Sequence, residues 1–338
     1  MRPLRGSTAV AAAFAVLLGA AWMLLGTASA GAPTAVPAAV ASAAASCATP
    51  RAGDLWFKVD AGSGPRQVIL HVPPGGRPGA RPLVLGLGGA GQTGSAFEHI
   101  TGYSRLADRE GFLVAYPTAT GARPFWNISG RMAGKPDDVA FLSKVLDRVE
   151  DLACVDRSRV YATGVSNGGG MTALLGCSLA WRLAAIAPVA GGYSVQPPCR
   201  PERALPVLEV HGDADEVVPY NGKGPAHAGS VPAFLGTWRR INACRGKARL
   251  LPSPPGVTEL TWSPCASGAD VVHDVIAGEP HSWPAWTRTR STSKLYSTTY
   301  RTWAFFRGHA QPPGNAPGAP VTASGGTQAH GSAAQPDG

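Results

Sequence analysis

The sequence has no C-x-x-C pair and no grouping of Cys with His at ligand spacing, so it offers no zinc site. No run of Lys or Arg is interleaved with aromatic residues. The net charge of +9 falls to about +7 if Arg2 and Arg5 are removed, and the basic residues are scattered. That excludes nucleic acid as a partner and leaves a mildly basic soluble surface. The run Leu83-Val-Leu-Gly-Leu87 leads into a glycine-rich stretch in which Gly86-Leu-Gly88-Gly-Ala-Gly91 matches G-x-G-x-x-G. A dinucleotide site needs an acid at the end of the next strand to hold the ribose. Here Phe112-Leu-Val-Ala-Tyr116 runs into Pro117-Thr118, and the acid is missing. No cofactor and no metal are expected.

The two ends differ from the middle. Met1-Arg2-Pro-Leu-Arg5, an apolar run from about Ala9 to Leu25, and Ala28-Ser29-Ala30 form an n-region, h-region and A-x-A site. Residues 1–30 are therefore expected to be a cleaved signal peptide. The alternatives are a membrane anchor, disfavoured by the short run broken at Gly19 and Gly26, and a lipoprotein modified at Cys47. Residues 31–48, almost all Ala, Pro, Val, Ser and Thr, are expected to be a disordered linker, and 309–338 a disordered Pro/Gly/Ala tail. Residues 49–308 are long enough for one well-buried core. The expected product is a secreted monomer with no stable membrane anchor.

Six cysteines in an extracytoplasmic chain predict disulfides. Cys177 with Cys199 and Cys244 with Cys265 each close a short loop and are the preferred pairs; the composition leaves other pairings open. Within the core, strand-like runs at Gln67–Val72, Leu83–Leu87, Phe112–Tyr116, Val160–Val165, Ala184–Val189, Pro206–Gly212 and Asp270–Ile276 alternate with helical patterns. The helices are expected at Tyr103–Arg109, from Asp137-Asp138 onward, after Ser166, after Ser230 and from Tyr296 to Phe306. Asp137 and Asp138 fit best as capping acids. The alternation predicts an α/β fold, a mostly parallel central sheet with helices on both faces.

The stretch around Gly164-Val165-Ser166-Asn167-Gly168 sits where a strand meets a helix and fits G-x-S-x-G, the nucleophile elbow of α/β-hydrolases. A serine hydroxyl is a weak nucleophile until a base takes its proton, and the base must be held by an acid. In this fold the chain order is Ser, then acid, then His, each on a loop after a strand. The strand-end acids after Ser166 are Asp213, Asp215 and Glu216; Asp213 sits at the turn itself, and Asp215 is preferred. Among His227, His273, His281 and His309, only His281 follows the last strand across a short turn. His273 lies within a strand, His227 in a Gly/Pro-rich loop and His309 at the start of the tail, while His211 fits a satisfied core histidine. Backbone N–H groups of Asn167, Gly89 and Ala90 are the expected oxyanion donors. Trp126, Trp283 and Trp286 are candidates for an aromatic substrate wall, although core packing would also explain them.

Ser166-Asn-Gly-Gly, Cys154-Val-Asp-Arg-Ser-Arg-Val-Tyr-Ala-Thr-Gly164, Ala187-Pro-Val-Ala-Gly191, His211-Gly-Asp-Ala-Asp-Glu-Val-Val-Pro-Tyr220, His281-Ser-Trp-Pro284 and the Asp137–Leu142 stretch together resemble the polyhydroxybutyrate depolymerase-like esterases. That group is similar to the feruloyl and acetylxylan esterases of carbohydrate esterase family 1 and to LpqC-type esterases. The resemblance spans about residues 50–307. It implies an α/β-hydrolase in which Ser166, Asp215 and His281 match the triad, acting on feruloyl, acetyl or short hydroxyalkanoate esters. Two positions depart from the pattern: Gly88 stands where His is usual, and Gly170 where a bulky residue is usual. The rival expectations are a polyester depolymerase, an acyltransferase on the same fold, and a non-catalytic binding protein. Neither end shows an appended polymer-binding module, which favours soluble or short-chain esters.

Overall fold

The computed structural model describes residues 50–75, 79–129, 134–193, 199–224, 228–284 and 296–311. The expected signal peptide, the linker, Cys47, His227, Trp286 and the tail beyond Gln311 lie outside the described residues.

Ten strands form one sheet: β1 (Gly53–Asp60), β2 (Pro65–Val72), β3 (Arg81–Leu87), β4 (Leu113–Pro117), β5 (Val155–Val165), β6 (Ala185–Val189), β7 (Val207–Gly212), β8 (Arg249–Leu251), β9 (Val257–Trp262) and β10 (Val271–Ile276). Their spatial order is β1-β2-β4-β3-β5-β6-β7-β10-β9-β8. The middle six, β4 to β10 in that order, are parallel. The antiparallel pair β1/β2 adds to one edge and β9/β8 to the other. The helices are α1 (Gly94–Thr101), α2 (Tyr103–Glu110), α3 (Asp138–Leu152), α4 (Asn167–Ser178), α5 (Val231–Ile241) and α6 (Thr298–Phe306).

The continuous apolar runs follow from burial on both faces. Along β3, Leu83, Leu85 and Leu87 enter one core with Phe141 and Leu142 of α3, Met171 and Leu175 of α4 and Trp238 of α5. Val84 points the other way, into a second core with Phe97 of α1, Leu106 of α2 and Trp303 of α6. The sheet is thus sandwiched between two helical layers. The expected α/β architecture is present, and the expected helices fall close to their observed bounds.

Four elements were not anticipated. β1 is an edge strand whose odd positions turn inward while Trp56 stays half exposed. β8 and β9 extend the other edge, and α1, capped by Thr93, follows the glycine loop at once. The chain also stays packed beyond 308: the Tyr161 hydroxyl donates to His309 O (2.7 Å) and Gln311 N to Ser158 O (2.8 Å). His309 and Gln311, beyond the expected boundary at 308, are thus bonded to the core. No helix among the described residues is long and apolar enough to cross a membrane.

Candidate active site

β5 delivers Ser166 at its C-terminal end. The residue has φ 58° and ψ −119°, a conformation that costs an ordinary side chain of order 1–3 kcal/mol. The surroundings hold it there: Ser166 N donates to Val189 O, while Ser166 O accepts from Gly170 N and Gly192 N. The turn needs bare backbone on either side. A Cβ on Gly168 would lie 2.1 Å from Leu87 O, and one on Gly164 would lie 2.6 Å from Gly168 O. No side chain larger than hydrogen fits between β3, β5 and α4.

Asp215 and His281 come from the loops after β7 and β10 on that side of the sheet. Asp215, on the loop after β7, is anchored through Oδ1 by the amides of Val217 (2.9 Å) and Val218 (2.8 Å). Its Oδ2 lies 2.7 Å from His281 Nδ1, and His281 Nε2 lies 2.8 Å from Ser166 Oγ. Burial pushes the Asp215 carboxyl up, but hydrogen bonds from His211, His281 and Val218 outweigh it and hold it well below the ordinary carboxylate range. Asp213 instead accepts from Gly278 N (2.6 Å), tying the β7 loop to the β10 loop. Glu216 has no part in this line. His273 is buried within β10, and His309 Nδ1 bonds to Phe305 O.

The loop after β3 lies against the nucleophile, since a Cβ on Gly89 would be 3.3 Å from Ser166 Cβ. Of the three expected oxyanion donors, Gly89 N is already bonded to Gln92 Oε1 (2.8 Å). Among the described residues the amides of Asn167 and Ala90 have no recorded acceptor, and they remain the available pair. Gln92 N returns a bond to Gly89 O (3.0 Å), so Gln92 fixes the turn that presents Ala90.

Trp126 and Trp283 do not form a substrate wall. Trp126 is buried; its indole donates to Gly88 O (3.0 Å), and its main chain is clamped by Asn167, with Trp126 N to Oδ1 at 2.7 Å and Nδ2 to Trp126 O at 3.0 Å. It therefore binds the elbow to the oxyanion loop. Trp283 packs edge-on against Phe97 at 5.4 Å and donates to Thr299 Oγ1. Their bulk is spent on the core, which leaves no indole face from either for a ligand. Of the two departures, packing accounts for Gly170 and leaves a side chain at Gly88 tight but not excluded. A Cβ at Gly170 would meet Gly192 O at 2.4 Å, and one at Gly88 would meet Gln92 Cβ at 3.0 Å.

The sequence reading missed three supports. Gln92 orders the oxyanion loop, Asp138 takes Asn127 N (2.7 Å) into the base of the Trp126 loop, and His211 lies 3.4 Å from Asp215 Oδ2. Only the acid four residues after His211 hinted at the last. Elsewhere, Asp54, His71 and Glu98 bring ligand-type atoms within 4.8 Å of one another, but both His71 nitrogens face carboxylates, Asp54 at 2.7 Å and Asp108 at 2.9 Å. That is a histidine hydrogen-bonded between two carboxylates.

Comparison with known proteins shows a likeness to esterases. The family described as esterase PHB depolymerase matches residues 67–196. A bifunctional acetylxylan esterase/xylanase of Neocallimastix patriciarum is 30% identical over 231 residues, covering 67% of this chain but 32% of that protein. The protein NocK of Nocardia uniformis subsp. tsuyamanensis, which carries an esterase designation, is 33% identical over 250 residues, covering 66% of this chain and 72% of NocK. The acetyl xylan esterase structure from Aspergillus awamori superposes with a TM-score of 0.50 at 15% identity, over 68% of this chain and 95% of that one, a likeness of fold. The chain thus spans about a third of the bifunctional relative.

Proposed function

Because this chain belongs to the esterase PHB depolymerase family, we propose that it hydrolyses carboxylic esters through Ser166, His281 and Asp215. The observation that carries this reading is the unbroken line from Ser166 Oγ to His281 Nε2 (2.8 Å) and from His281 Nδ1 to Asp215 Oδ2 (2.7 Å). The serine sits on the strained turn that exposes its hydroxyl.

Ser166 Oγ attacks the ester carbonyl and His281 Nε2 takes its proton. Asp215 fixes the tautomer that leaves Nε2 free to accept, and stabilises the imidazolium that results. The oxyanion meets the N–H groups of Asn167 and Ala90, each worth about 3 kcal/mol in comparable sites. His281 then protonates the departing alcohol, and water cleaves the acyl-serine by the same steps in reverse. The substrates we propose are soluble or short-chain esters, among them acetyl esters of polysaccharide such as the Neocallimastix relative is named for. Two disulfides among the described residues fit a secreted enzyme.

The test is hydrolysis of p-nitrophenyl acetate by the purified protein and by Ser166→Ala. The variant is expected to lose about 10⁴-fold or more in kcat/KM while keeping its fold. Equal rates in the two proteins, or no turnover by the parent, would sink the reading.

A further inference from the structure

We propose that His211 is a positioning residue for this site: a buried imidazolium, held between Glu209 and Asp215, that keeps Asp215 ionised and tempers the negative field His281 feels. This rests on the reading of Ser166, His281 and Asp215 as the reacting set.

The argument starts from which atoms can donate. His211 Nε2 lies 2.8 Å from Val218 O, and a carbonyl only accepts, so Nε2 carries a hydrogen. His211 Nδ1 lies 2.9 Å from Glu209 Oε1. Glu209 is fully buried and already takes the Tyr193 hydroxyl on the same oxygen (2.7 Å), with His273 Nδ1 2.7 Å from Oε2. With the Tyr193 hydroxyl on one oxygen and the His273 ring, itself bonded to Glu209 O at 3.3 Å, close beside the other, the net pull on this carboxyl is toward the anion. Nδ1 must then carry a hydrogen too, which makes His211 a cation. Its Nε2–H is aimed between Val218 O and Asp215 Oδ2, the latter at 3.4 Å.

The charges around it are these. From its own strand comes Glu209, and from the loop after β7 comes Asp215. From β10 comes His273, register partner of Glu209, whose Nε2 meets the Tyr220 hydroxyl at 3.1 Å. Tyr193 follows β6, and the Tyr220 ring stands edge-on to His211 at 6.1 Å. Asp274, on the opposite face of β10, is taken by Arg301 and Tyr296. Glu279, in the loop after β10, is buried and accepts from Ser282 (2.5 Å). Two ionised carboxylates, Glu209 and Asp215, thus share a dry region, and His211 is the side chain that touches both. Burial lowers the His211 imidazole, but the Glu209 charge and the bonds to Asp215, Glu209 and Val218 outweigh it, and the net direction is upward.

Taking the charge away has a defined sign. With His211 neutral, the negative charge of Asp215 is uncompensated, and the protonated, non-basic form of the Asp215–His281 pair is favoured. The acidic limb of kcat/KM moves up in pH. Loss of the Glu209 charge offsets part of this, but Glu209 meets Asp215 only through His211.

The experiment has two parts. In uniformly ¹⁵N-histidine-labelled parent protein, His211 is expected to show two N–H nitrogens at about pH 7, where an ordinary imidazole is neutral. A single N–H there would overturn the proposal, and this readout needs neither activity nor a variant. In the second part, His211→Gln keeps a donor toward Val218 O without the charge, and Glu209→Gln removes the anion that holds the charge. Both are expected to move the acidic limb upward by about one pH unit. A fall in rate that is uniform across pH in both variants would mean a merely structural role and would overturn it. Failure of Ser166→Ala to lose activity would instead strike the triad reading, leaving the ¹⁵N result to stand by itself.

Discussion

Glu209 has no access to water, yet its surroundings favour the charged form. Burial raises its carboxyl, while the charges of and hydrogen bonds from His211 and His273 outweigh burial and bring it below the ordinary 4.5. His211 is displaced the other way, above the ordinary 6.5. A depressed carboxyl contributes stability that is fully present above its unfolded value and is lost as pH falls through the folded one. A raised imidazole contributes stability that is fully present below its unfolded value and is lost as pH rises through the folded one. Both contributions are complete only between 4.5 and 6.5. The Tm difference between the parent and Glu209→Gln should therefore be largest in that window and narrow on both sides. Calorimetry from about pH 3 to pH 10 would check this, and a flat difference would contradict it. The sequence marked His211 as a core histidine with its bonds satisfied, which it is. What it could not mark is that one of those bonds points at Asp215, because the neighbour on its other side, Glu209, reaches His211 only through the pleat of the strand.

At the scale of elements, the legible features were those with local causes. The elbow carries its own glycines, the parallel strands are apolar because both faces are covered, and α5 is announced by Ser230, whose hydroxyl accepts from Ala233 N. The helix after Ser166 carries no one-sided pattern: α4 has every residue from Asn167 to Gly176 buried, since the sheet and its helical neighbours close around it. The Asp137-Asp138 pair divides the same way. Asp137 caps α3 through Ala140 N, a local signal. Asp138 does not cap: it pairs with Arg66 on β2, 72 residues away, at 2.5 Å, and no local pattern announces such a partner. That Arg66 also lies over the Phe141 ring, and its Nε and Nη2 have no acceptor. Burial already lowers this guanidinium against the pull of Asp138. Asp138→Asn leaves the cation without its counter-charge and is expected to cost about 3–5 kcal/mol. The same change loosens Asn127, and through it the Trp126 clamp on the oxyanion loop, so kcat should fall even where the protein is folded. Urea unfolding with kinetics on the folded fraction would measure both, and a loss below about 1 kcal/mol would show the pair to be solvated.

At the scale of the whole molecule, two disulfides among the described residues join segments that the sheet alone would leave loosely tied. Cys177–Cys199 links the end of α4 to the segment between β6 and β7, and Cys244–Cys265 links the turn after α5 to the segment between β9 and β10. Short spacing made both pairs legible, because cysteines 22 and 21 residues apart need little chain rearrangement to meet. Each bridge acts mainly on the unfolded chain, where closing a loop of that size removes entropy worth about 3 kcal/mol. Neither touches Ser166, Asp215 or His281, whose positions are set by β5, β7, β10 and their main-chain bonds. Replacing both cysteines of one pair by serine is therefore expected to lower Tm by several degrees and stability by about 3 kcal/mol. The kcat for a p-nitrophenyl ester, measured well below the transition, should stay within about twofold of the parent. The Cys177/Cys199 pair gives the sharper trial, because α4 also begins at the nucleophile. If losing that bridge lowered kcat tenfold with no change in fold, the far end of α4 would be setting the geometry of Ser166, and the local backbone bonds of the elbow would not suffice to hold it.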